Sequence, residues 1–291
     1  MLRVLYYYIM NEEKLQRTLS ISEMFYSIQC EGFRTGRPAI FIRLSNCNLS
    51  CGFSAKAVVD FKRELKGTED RKGGDDHEYA DLMKEGKASW CCDSLSVWAL
   101  KKKKTAFDDI IDEWREWGVL DGVINGYVEL IWTGGEPTLP GHQKDIVSFL
   151  QYFENMFITE NVINQVETNG TLPITDEFSN RLKIINCSPK LANSGMLERQ
   201  RIKPEVIEQI KMHEGGTFKF VISTEGDVEE FLKDFVYAFD IDIRNVCMQP
   251  GLDNFEQVAE RTAFCMEMGK KYQISALTRN HVVAWDQATG V

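Results

Sequence analysis

Short runs rich in valine, isoleucine and phenylalanine recur along the chain and predict strands at 39–44, 127–132, 162–167, 182–187, 217–223 and 245–249. Between most of them apolar positions fall at helical spacing, predicting helices at 106–119, 143–157, 204–213, 228–239 and 255–271. Strands alternating with helices are βα units, so the fold class is α/β with a parallel sheet, open or closed as a barrel. Neither an internal repeat nor a proline-rich linker interrupts the pattern, which predicts a single domain over 1–291. The exception is 54–89, charged, poor in aliphatic residues and broken by Gly73 and Gly74, which reads as a solvated insertion. The lysine run at 101–104 predicts a solvated helix start.

Composition refines this outline. The 291 residues are 43% hydrophobic and 27% charged, enough to bury a substantial core. A formal net charge of −10 argues against nucleic-acid binding, which needs a basic surface. The apolar opening "MLRVLYYYIM" is too short to span a bilayer and lacks a signal-peptide cleavage site, so it reads as a leader or an early strand. The expected setting is cytoplasmic, with no membrane.

In such a setting eight cysteines should be mostly reduced, and clustered ones favour metal or redox chemistry. Cys187, Cys247 and Cys265 stand singly in apolar or helical surroundings, as buried small hydrophobes do. Cys47 and Cys51 are different, lying four positions apart behind the strand "AIFIRL". Such a pair suits a disulfide, half of a zinc site, or the first two ligands of an iron–sulfur cluster.

Four later strands end in polar side chains. "WTGGEPTL" supplies Gly134, Gly135 and Glu136, and the glycines allow close backbone approach. "VETNGT" leaves Glu167, Thr168 and Asn169; "INCSPK" leaves Ser188 and Lys190; "CMQPG" leaves Gln249. One such ending is ordinary turn chemistry, but four at the same edge of a parallel sheet predict a shared ligand site.

With the cysteine pair placed at that edge, "CNLSC" and "GGEP" resemble the radical S-adenosylmethionine superfamily. The resemblance implies an incomplete (β/α) barrel. It also implies three cysteines holding a [4Fe–4S] cluster, whose open iron chelates S-adenosylmethionine. The set "FYSIQCEG", "FIRLSNCNLSC", "TGGEP", "ETNG", "SPK" and "QP", in this order, is similar to the 7-carboxy-7-deazaguanine synthase family. That family converts 6-carboxy-5,6,7,8-tetrahydropterin to 7-carboxy-7-deazaguanine with loss of ammonia.

The sequence departs from the family at the third cysteine. Position 54 is serine, and the missing piece reappears in "SWCCDS" beyond the charged insertion. Loop-closure entropy grows slowly with length, so both ends can still meet at one cluster. Asp93 and Ser94 match the family's Asp-Thr and favour Cys92 as the third ligand, with Cys91 as the alternative. The resemblance then assigns Mg2+ to Ser94, whose bland alternative is a helix cap. It assigns S-adenosylmethionine to Gly134, Gly135, Glu136, Asn169, Ser188, Lys190 and Gln249, and the pterin to Gln29, Glu31, Arg43 and His281. Cys30 replaces a usual glycine, and "VAWDQATGV" does not resemble the family's ending. An electron donor such as a flavodoxin is implied, and a homodimer is compatible. Two other readings are a radical activase making a glycyl radical on a protein partner, and a zinc-binding structural module.

Overall fold

A computed structural model describes residues 17–53, 58, 59, 88–95, 103–286, 288, 290 and 291. The opening decapeptide and nearly all of the predicted insertion at 54–89 lie outside these residues.

The described strands form one mixed sheet. They are β1 (Thr18–Ile28), β2 (Pro38–Leu44), β3 (Lys103–Ala106), β4 (Glu129–Gly134), β5 (Asn164–Thr168), β6 (Ile184–Cys187), β7 (Gly216–Ile222), β8 (Val246–Pro250) and β9 (Ser275–Ala276). The order is β3-β1-β2-β4-β5-β6-β7-β8-β9, and the sheet does not close. From β2 through β9 the neighbours are parallel, whereas β1 pairs antiparallel with both β2 and β3. All six predicted strands are present within two residues. The β1–β2 hairpin, β3 and β9 are additions. The lysine run does not begin a helix: Lys103 and Lys104 lie in β3, an edge strand that exposes them.

Side chains alternate with period two, and the two faces differ. The outer face carries Ile40 and Ile42, Leu130 and Trp132, Phe218, Phe220 and Ile222, all in one large apolar cluster. Helices α1 (Phe107–Glu116), α2 (Pro140–Met156), α3 (Pro204–Met212), α4 (Glu225–Phe231) and α5 (Val258–Tyr272) carry the predicted helical segments, and α1 to α4 bury their apolar stripes in this cluster. Pro140 and Pro204 sit in the first turns of α2 and α3, where proline costs no hydrogen bond. Phe149 of α2 packs edge-on against both Trp114 and Trp132. The segment predicted at 228–239 begins earlier, at Glu225, and continues past α4 as a π-helical stretch, Leu232–Tyr237.

On the inner face Ala39, Phe41 and Ile131 make a small apolar cluster, joined by Phe25. Many of the remaining inward positions, among them Arg43, Glu129, Glu167, Asn186, Lys219 and Gln249, are polar, and the β1–β2 connection folds back over several of them. Along it, Arg34 pairs with Glu129 of β4, Gln29 donates to Glu167 of β5, and Glu31 pairs with Lys219 of β7. Gly32 has φ +68° and lies against Asn186 of β6, where a Cβ would come within 2.8 Å of Nδ2. One loop therefore reaches strands β4 to β7, which requires the sheet to curve around it.

Candidate active site

Beyond β2 the chain turns through Asn46, at φ 64°, into the cysteine loop. Leu49 N–H points at Cys47 Sγ at 3.5 Å. On the far side of the undescribed segment, Cys92 N–H donates to Cys51 O at 3.1 Å, so the chain returns beside the first two cysteines. Leu49, Cys51 and Trp90 share a small buried cluster against which Cys47 and Cys92 pack. Burial pushes the Cys51 thiol up to about 12 and raises Cys47 further, and the neighbouring Cys92 charge adds to both. Three soft thiol donors gathered on one small buried cluster are the ligand type that holds iron, so this donor set fits an iron–sulfur cluster. Cys91 also lines the cavity, with Sγ against Gly52.

The four polar strand ends converge on the same cavity, which is open to solvent, as their positions in sequence predicted. The glycines behave differently from expectation. A Cβ on Gly134 or Gly135 would strike the backbone of Leu44 or Asn46, so they let β4 dock against the cysteine loop. Glu136 is also engaged internally. One carboxylate oxygen accepts from Thr138 N, Thr138 Oγ1 and Thr168 Oγ1, and the other from Asn169 N at 2.8 Å. Asn169 in turn donates to Asn48 Oδ1 at 2.9 Å, tying the β5 end to the cysteine loop. Lys190 donates to Ser188 Oγ at 3.1 Å and lies over the Trp90 ring, with Nζ 5.6 Å from its centroid.

A second group occupies the inner face. Glu31 pairs with Lys219 and, at 2.7 Å, with Arg279 Nε, and also accepts from Gln249 Nε2 at 3.0 Å. Arg279 further donates to Leu252 O and to Asp93, linking the residues before helix α6 (Asn280–Trp285) to the cysteine segment. Burial alone would raise Glu31, but Lys219 and Arg279 hold it well below the usual carboxylate range. Partial desolvation of the half-exposed Asp93 carboxyl is outweighed by the Arg279 guanidinium, which brings it down to about 2. Burial and the Arg279 charge lower His281 to about 4, so its imidazole is neutral at pH 7. Its 3.9 Å approach to Glu31 is thus no ion pair at that pH.

The remaining predicted residues are nearby. Arg43 faces the cavity, 3.2 Å from its cross-strand neighbour Glu23 and over the Phe25 ring. Ser94 is buried, with Oγ 3.6 Å from Cys92 Sγ. Cys30 keeps negative φ and donates its thiol to Ile28 O; the positive-φ positions in its loop are Gly32 and Gly36. Lys219 and Arg279 are the residues that sequence reasoning missed. A lysine between two phenylalanines in "FKF" was the available signal for the first, since period two turns it to the opposite face.

An open α/β sheet that gathers thiols and polar strand ends at its C-terminal edge is the architecture of the radical S-adenosylmethionine class. No protein-family model matches the chain. It is 24% identical to the 7-carboxy-7-deazaguanine synthase of Pyrobaculum aerophilum over 93% of this chain and 96% of that one. The identity is 26% to the synthase of Halobacterium salinarum, over 93% and 91% of the two chains. The fold matches the crystal structure of QueE from Escherichia coli with a TM-score of 0.52, covering 90% of this chain and 93% of that one at 20% identity. Over most of its length the chain is thus similar to proteins of the 7-carboxy-7-deazaguanine synthase family.

Proposed function

We propose that this chain converts 6-carboxy-5,6,7,8-tetrahydropterin to 7-carboxy-7-deazaguanine with loss of ammonia, as a radical S-adenosylmethionine lyase. The observation that carries the reading is the return of "WCCDS" to Cys51, which reunites the interrupted cysteine motif. Cys47, Cys51 and Cys92 would hold a [4Fe–4S] cluster, which together with S-adenosylmethionine would supply radical chemistry at the cavity.

The chain's own groups bind and orient. Gly134–Glu136, Asn169, Ser188, Lys190 and Gln249 form the edge on which S-adenosylmethionine rests. The amide and amine edge of a pterin calls for a carboxylate beside a carboxamide. Gln29 and Glu167 supply that pair, hydrogen-bonded at 3.1 Å on the cavity wall. Glu31 is better placed to fix the loop, because two cations already hold its carboxylate. Arg43 receives the substrate carboxylate, and neutral His281 accepts a hydrogen bond or proton at the same wall. The Ser94 hydroxyl, beside the Asp93 carboxylate, suits a hard cation such as Mg2+. An electron donor such as a flavodoxin, a homodimeric assembly, a cytoplasmic setting and a cluster loop opened by the 54–89 insertion complete the reading.

The test is anaerobic incubation of reconstituted protein with dithionite, S-adenosylmethionine and the carboxytetrahydropterin, with products read by mass. A deazaguanine together with 5′-deoxyadenosine is expected. 5′-Deoxyadenosine alone would reject the substrate, and a colourless protein holding stoichiometric zinc would reject the cluster.

A further inference from the structure

In the usual motif, two residues of chain fix the third cysteine beside the second. Here 40 residues intervene between Cys51 and Cys92, so local geometry no longer sets their separation. Something else in the fold must bring the two ends together. The turn at 191–195, just beyond β6, bonds to both. Gly52 N–H donates to Ser194 O at 2.9 Å, and Ser89 N–H donates to Asn193 O at 2.9 Å. Trp90 Nε1 donates to Asn193 Oδ1 at 3.0 Å, and Asn193 Nδ2 donates to Val221 O of β7 at 2.9 Å.

Each half of this junction is buried. Asn193 and Ser194 are buried, Ser194 Oγ closes the turn onto Leu191 O, and Gly195 ends it at φ 75°. Gly52 has φ +84°, and a Cβ there would lie 2.7 Å from Trp90 O, so the two chain ends touch backbone to backbone. Asn193 thus uses both ends of its amide, one on the returning segment and one on the rigid sheet.

We propose that Asn193 is a positioning residue that seats the third cluster ligand, replacing the chain continuity the insertion removed. The proposal rests on the reading that Cys47, Cys51 and Cys92 hold the cluster. Removing the Asn193 amide leaves the Trp90 N–H buried without its acceptor and loosens the segment bearing Cys92, which keeps its main-chain bonds to Asn193 and Cys51.

The experiment uses the full-length reconstituted protein under anaerobic conditions, with iron release to a chelator followed at the visible absorbance of the cluster. Asn193→Ala and Trp90→Phe are each expected to release iron about tenfold faster than the unmodified protein, and the double variant no faster than the singles. Asn164→Ala is the matched control, because it removes a similar tryptophan–asparagine bond, Trp132 to Asn164, from the outer face. It should release iron at the unmodified rate. Equal rates for Asn193→Ala and the unmodified protein would overturn the proposal, as would equally fast release from Asn164→Ala. If Asn193→Ala does not fold, Trp90→Phe decides by the same criterion. An unmodified protein that takes up no iron would instead overturn the cluster reading itself.

Discussion

The two faces of the same strands obey different rules. In β7, Phe218, Phe220 and Ile222 point outward into a continuous apolar core, while Lys219 points inward to the partly buried Glu31 carboxylate. The outer face is held by area removed from water, which is non-directional and tolerant of exchange. The inner face is held by paired charges and aimed hydrogen bonds, where each group has a specific partner and loses much if that partner goes.

The sharpest way to separate the faces is at the thiols. Cys92→Ala should reduce iron content after reconstitution to near zero while leaving the unfolding transition of the iron-free protein in place. Cys91→Ala should retain iron; the opposite pattern would reassign the third ligand. On the outer face, Phe220→Ala should cost about 3–5 kcal/mol in denaturant unfolding, the range for emptying a buried aromatic site. Its iron stoichiometry should stay unchanged wherever the chain remains folded. On the inner face, Lys219→Met should cost about 3 kcal/mol by leaving Glu31 short of a cation. Adding Glu31→Gln should recover at least half of that loss, a non-additivity that Phe220→Ala will not show with any inner-face change.

The smallest effect is a pH dependence. Folded His281 titrates at about 4, and in the unfolded chain near 6.5. Between those values the unfolded chain holds the extra proton, so stability falls as pH drops from 6.5 toward 4. The contribution is about 2–3 kcal/mol, and His281→Gln should remove it from the pH profile of iron-free protein.

The same contrast explains what was legible in the sequence. Strands β2 and β4 to β8 declared themselves by apolar runs, because parallel strands covered by helices show continuous hydrophobicity. Strand β1 was missed because "TLSISEMFYSI" mixes serine and glutamate into a half-exposed hairpin partner. The motif residues at the strand ends were readable and do line one cavity. Their internal partnerships were not readable, because Glu136 bonding to Asn169 or Glu31 pairing with Lys219 spans many residues of chain. Arg279 was the least legible, being a single arginine in "LTRNH" whose role depends entirely on Asp93 and Glu31 lying beside it.

The closure of the cysteine loop by distant residues also sets a timetable. Cys47, Cys51 and Cys92 leave the ribosome early, while Asn193 follows about a hundred residues later and Arg279 later still. At roughly 5–20 residues per second, the thiols wait about 5–20 s before Asn193 emerges. A nascent chain ending before Leu191 is expected to hold iron less firmly than the full-length protein, and its reduced thiols must be kept from oxidation until the turn at 191–195 emerges.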